Sequence, residues 1–168
     1  MNQVIFDFLC NYLKNLNISY FLSTDKNFSF SDFDLGLRKS ILKENTVKTV
    51  SSMPEYNKEA LYHFSDYYNC HYSFFHISEE QFFFIGPYLQ KDMLEADIKE
   101  LMTASNIPES LLTQLQDYYF CLPLIRDKIS FFELIRQSHH NICGLSGTPE
   151  YIFDLKTFES REEYLKKH

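Results

Sequence analysis

The chain has no tryptophan and only four glycines. So few glycines leave little material for the glycine-rich loops that cradle phosphates. Clustered positive charge is missing too. The balance is 16 basic to 23 acidic residues, a net charge of -7, and Lys166-Lys167 is only a short pair at the end. Gripping DNA needs a basic face that neutralises phosphates, so this chain alone is expected not to hold DNA strongly. The four cysteines, Cys10, Cys70, Cys121 and Cys143, never stand at CxxC spacing. They read as reduced, mostly buried thiols of a cytoplasmic protein, not as disulfides or metal ligands. No long apolar run occurs. Asn2, Gln3, Asp7, Asn11 and Lys14 interrupt the first sixteen residues, which fit neither a secretory segment nor a membrane span. GxSxG, GxxxxGK[ST] and HExxH motifs are all lacking, and an enzyme is not expected.

What the chain does have is aromatic mass: 17 Phe and 12 Tyr in 168 residues. Such side chains suit a sheet packed against helices. Val4, Ile5, Phe8, Leu9, Tyr12, Leu13 and Leu16 recur at helical spacing, and Ile18–Ser23 then reads as a strand. Part of Asn27–Leu37 is expected to be extended, since Phe28 and Phe30 alternate with serines. Leu35–Glu44 is read as a short helix and Val47–Ser52 as a strand. The centre is clearer. Leu61–Tyr67, Cys70–Ile77 and Gln81–Gly86 read as three strands joined by short turns, hence antiparallel neighbours. Gly86-Pro87 is expected to stop this meander. Three helices follow: Lys91–Ser105, one opened by Asn106-Ile107-Pro108 and ended by Leu122-Pro123-Leu124, and one capped by Asp127. Tyr151–Leu155 can form a last strand, and Ser160-Arg161-Glu162-Glu163 has the capping-box pattern. The expected fold is α+β: an antiparallel sheet around a three-strand meander, an N-terminal helix and C-terminal helices.

Small folds of this layout bind molecules between the sheet and its cover. The candidate ligand lining is Tyr62, Phe64, Tyr72, Phe74, His76 and Phe83, in which tyrosine and histidine supply polar tips; the alternative is a plain aromatic core. His63, His71 and His76 lie near Cys70 and Asp66, which raises metal binding or a Cys/His nucleophile. Strand geometry opposes both. Cys70 and His71 face opposite ways, and Cys70 and His76 stand about 20 Å apart at roughly 3.3 Å per residue. No metal and no cofactor is expected. His139-His140, late in the third helix, reads as a cap or solvated pair. Asp32 and Asp34 read as loop residues that can line a site.

The stretch Leu61–Leu89, with Asp66 at a turn, Cys70 and Tyr72 on the next strand, and Ile85-Gly86-Pro87-Tyr88 closing the third, carries a family likeness. Ile107-Pro108, Tyr118-Tyr119 and Leu122-Pro123 continue it in order. Over about residues 1 to 143 the chain resembles the amino-terminal regulatory domain of AraC-type transcription regulators from low-GC Gram-positive bacteria. The resemblance implies a GAF- or PAS-like sensory domain at 1–145. It implies that 146–168 is a linker to a carboxy-terminal helix-turn-helix domain absent from this chain, through which alone promoter DNA would be bound. It also implies a homodimer that answers to a small molecule or a protein effector, with no membrane. The other readings are a dimerisation or docking module without a small ligand, and a small enzyme using His63 or His76.

Overall fold

The computed structural model describes residues 1–24, 29–44, 57–147 and 149–154. The expected strand at Val47–Ser52, the residue Phe28 and the capping box at Ser160 lie outside the described residues.

Helix α1 (Gln3–Asn15) starts where Asn2 supplies a side-chain oxygen to the amide of Ile5, at 3.3 Å. It ends at Asn17, which takes a left-handed conformation (φ 56°) that asparagine tolerates better than most residues. Five strands follow in the chain: β1 (Tyr20–Ser23), β2 (Leu61–Ser65), β3 (His71–His76), β4 (Phe82–Tyr88) and β5 (Glu150–Asp154). They form one sheet in the order β1-β4-β3-β2-β5. The expected meander is present, β2 to β3 to β4, antiparallel throughout. The sheet as a whole is mixed, however, because β5 pairs parallel with β2, Leu61 facing Glu150. The alternation of a short strand does not encode its direction, so that expectation is corrected here.

Gly86-Pro87 does not stop β4. The strand continues to Tyr88 across a bulge. His71 pairs with Tyr88 and Ser73 with Ile85, so Gly86 and Pro87 together oppose Tyr72. At a bulge proline needs no ladder donor. Glycine is required beside it: at φ 131° its Cα lies so close to β3 that a Cβ would stand 2.6 Å from the His71 carbonyl oxygen.

Between β1 and β2 the expected extended stretch is instead a 3-10 turn, Phe30–Asp32, and the expected short helix is a single π-helical turn, Leu37–Ile41. Helix α2 (Glu95–Ala104) begins later than the sequence suggests. A 3-10 turn, Glu109–Leu111, leads into α3 (Leu112–Cys121). Helix α4 (Lys128–Cys143) is capped by Asp127, whose carboxylate accepts from the Ser130 amide at 3.0 Å, and it ends at Gly144 in the left-handed region.

The sheet is covered on both faces. Tyr62, Phe64, Tyr72, Phe74, Phe82 and Phe84 point to a layer made by Phe30, Phe33, Leu37, α2 and α3. Leu61, Phe75, Phe83, Ile85 and Tyr88 point the other way, onto Leu9 and Leu13 of α1 and Phe131, Ile135 and Ile142 of α4. Alternation along each strand produces this division. Apolar burial on two faces explains why the central strands read as nearly unbroken aromatic runs. Among the described residues no helix is long and apolar enough to cross a membrane.

Candidate functional site

The sequence candidates do not form one lining. Tyr62, Phe64, Tyr72 and Phe74 share a face and are at most 3% exposed. Their rings fill the space between them: Tyr62 stacks on Phe74 at 4.9 Å, Phe64 on Phe74 at 5.2 Å, and Phe30 lies 4.8 Å from Tyr72. His76 packs against Phe82 at 3.9 Å. Phe83 belongs to the opposite face, between Phe6 at 5.1 Å and Phe75 at 5.6 Å. Phe83 has the wrong parity to meet Tyr72 and Phe74, whereas Phe82 and Phe84 of the same strand share their face. Buried polar side chains gather in one group on each side of the sheet.

On the α2/α3 side, the π-helical turn brings Arg38 between two buried carboxylates. Its guanidinium donates to Asp34 and to Asp66, both at 2.9 Å. Asp34 also accepts from the amides of Gly36 and Arg38, and Asp66 from those of Tyr68 and Cys70. The hub thus ties the π-helical turn to the β2–β3 turn. Tyr118 donates to the Asp34 carbonyl at 2.7 Å and Tyr119 to the Tyr68 carbonyl at 2.6 Å, which fastens α3 to the same place. Burial pushes the Asp66 carboxyl up, and Arg38 opposes that push. Burial likewise raises the Cys70 thiol and the Tyr72 phenol, which keeps both protonated near pH 7. Asp66, Cys70 and Tyr72 were legible as a turn and a strand. Arg38 was not, since nothing in its spacing marks it as the partner of a residue 28 positions on.

On the α1/α4 side runs a chain of hydrogen bonds. Tyr88 Oη lies 2.8 Å from Ser73 Oγ, and Ser73 Oγ lies 2.7 Å from His63 Nδ1. Tyr88 and Ser73 are fully buried. Ser73 is the hydrogen-bond partner of the Tyr88 hydroxyl among the described residues, so a paired Tyr88 proton goes to Ser73. When Tyr88 donates to Ser73 and Ser73 to Nδ1, the His63 proton sits on Nε2; the reverse direction puts it on Nδ1. In both arrangements Nε2 has no hydrogen-bond partner among the described residues. The nearest carboxylate oxygen, of Glu150 on β5, stands 3.9 Å away. The His63 ring stacks on Phe132 of α4 at 3.7 Å. Burial, and then the nearby Lys128 ammonium, hold the imidazole down at about 4, so it is neutral near pH 7. A partly open cleft of about 30 Å³, lined by His63, Ser65, His71, Gln90, Lys128 and Phe132 among others, adjoins it. Sequence spacing singled out His63, but pairing with Ser73 and Tyr88 depends on strand register.

Another histidine, His139 of α4, stacks on Phe75 at 4.3 Å, and neither ring nitrogen has a hydrogen-bond partner among the described residues. It is fully buried rather than a solvated or capping residue, and burial with the neighbouring His140 and His76 holds it at about 4. The four cysteines are free thiols. Among the described residues no three His, Cys, Asp or Glu side chains gather as a metal-binding group. Comparison with family models, with curated proteins and with solved structures finds no match to this chain.

Proposed function

We propose that the chain is the sensory domain of a bacterial, cytoplasmic AraC-type transcription regulator, GAF- or PAS-like in architecture and non-catalytic. The observation that carries this reading is the placement of β5. The strand that follows α4 returns to the sheet edge beside β2, next to the polar chain of His63, Ser73 and Tyr88. An event at that chain acts directly on the segment that leads onward from the domain. The reactive groups fit sensing better than turnover: Ser73 is fully buried and Cys70 is held protonated. The net charge of -7 suits a domain that leaves DNA to another part of the protein.

A second reading, a docking or dimerisation module, draws on the outer side of α1. Val4 is 76% exposed and Phe8 59% exposed, and Leu22 of the neighbouring edge strand is 52% exposed. Thermal melting against a panel of small metabolites, run beside sedimentation equilibrium, separates the two. Sensing predicts a ligand-dependent rise in melting temperature. A tight dimer whose melting answers to protein concentration and to no metabolite would replace it with docking.

A further inference from the structure

The cleft beside His63 gathers groups of one kind. Nε2 of His63 has no hydrogen-bond partner among the described residues, and the residue is only 3% exposed. A buried polar atom left so costs about 1–3 kcal/mol unless a partner is supplied. Lys128 lines the same cleft, as the first residue of α4, where the helix presents its positive end. Gln90 adds an amide. Among the described side chains, Glu150 is the negative one that faces this set: it approaches Nε2 to 3.9 Å, beyond hydrogen-bonding length, from the first position of β5.

We infer that this cleft is a site for the carboxylate of a small organic acid, which accepts the His63 Nε2–H, lies near the Lys128 ammonium, and competes there with the carboxylate of Glu150. Glu150 shows what chemistry the position accepts, and its distance shows that it does not complete the bond. One imidazole N–H and one ammonium match a carboxylate; a phosphate calls for more donors. The cleft, about 30 Å³ in volume, admits the carboxylate head while its open side leaves room for the rest of the acid. Displacing Glu150 parts its carboxylate from the neutral His63 ring, a contact between β2 and β5, so occupancy of the cleft is communicated to the edge strand. The inference deepens the sensing reading and rests on it only for that consequence; binding itself is tested separately.

The test is a titration of the purified chain with sodium acetate, followed through the His63 side-chain ¹⁵N and ¹H resonances. Sodium chloride and sodium phosphate at matched ionic strength serve as parallel arms. The expected result is a saturable shift with acetate alone, with a dissociation constant on the order of millimolar for so small a ligand. Glu150→Gln should tighten binding about two- to fivefold by removing the competitor, and Lys128→Met should weaken it by a similar factor. Both positions are solvent-accessible, so both variants should fold. Equal, non-saturating shifts in acetate and chloride would overturn the site. Tighter binding of phosphate would overturn the carboxylate class, and an affinity unchanged in Glu150→Gln would overturn the competition. None of these failures touches the metabolite melting screen, on which the sensing reading stands or falls by itself.

Discussion

Arg38 is one cation held by two carboxylates, and those carboxylates are more deeply buried than it is: its side chain is 14% exposed, Asp34 0% and Asp66 1%. Burial alone would push the guanidinium down. The charge of Asp66 and the bonds to both aspartates outweigh that and hold it firmly protonated. The ring of Tyr68 lies 4.8 Å from the guanidinium carbon and closes one face. Such a group contributes little as a favourable pair but is costly to break, because removing one member strands a buried charge. Arg38→Ala is therefore expected to destabilise the fold by about 3–5 kcal/mol. Arg38→Lys should recover only part of this, since an ammonium lacks the planar fork that reaches both carboxylates. Urea unfolding of the two variants checks it. A loss below about 1 kcal/mol in Arg38→Ala would mean that the hub is solvated and does not hold the π-helical turn to the β2–β3 turn.

Among the elements, the bulge in β4 has the sharpest requirement. Gly86 lies where β4 steps over Tyr72, and its amide donates to the Ser19 carbonyl at 2.8 Å, which also fixes the start of β1. A methyl group there meets backbone, which cannot swing aside as a side chain can, and the positive φ adds strain. Gly86→Ala is expected to cost about 3 kcal/mol or more, read as a fall in the urea midpoint. A variant as stable as the parent would show that β3 and β4 can part at this point without loss. The same bulge marks the limit of what could be read from the chain. Helix α1, the three central strands and the Asp127 cap each follow from local spacing and hydrogen-bonding chemistry, and all three occur as expected, although Val4, Phe8 and Leu16 of the expected apolar face of α1 are exposed. Continuation through Gly86-Pro87 depends on the neighbour opposite, as does the parallel pairing of β5. The candidate lining divides between the two faces for a related reason. Its residue types were right for a buried aromatic layer, but Phe83 has the parity of the other face. Arg38 was out of reach because its partners, Asp34 and Asp66, meet only after the chain has folded back.

At the scale of the whole molecule, the two faces of the sheet respond to acid in opposite senses. The α1/α4 face buries two imidazoles, His63 at 3% exposure and His139 at 0%. Burial holds each at about 4, against 6.5 for the ordinary side chain. The unfolded chain therefore binds protons that the folded chain refuses, between pH 6.5 and about 4. The stability tied to these neutral rings is complete above pH 6.5 and declines as pH falls through that window. At its steepest, two such groups change stability by about 2.7 kcal/mol per pH unit. Asp66, on the other face, has a carboxyl raised by burial, so acid relieves it and works against this loss. A variant separates the two effects. His139→Phe keeps an aromatic ring against Phe75, removes two ring nitrogens that lack hydrogen bonds, and leaves Asp66 untouched. It is expected to be at least as stable as the parent at pH 7.5, since no buried polar atom is left unsatisfied at that position. Its stability should also fall less steeply, by about one proton's worth, between pH 6.5 and 4.5. Urea unfolding at intervals of half a pH unit measures both curves. Parallel curves for the two proteins would mean that His139 gains a proton in the native state as readily as in the unfolded one. The α4 end of the molecule would then open to water well before the sheet does.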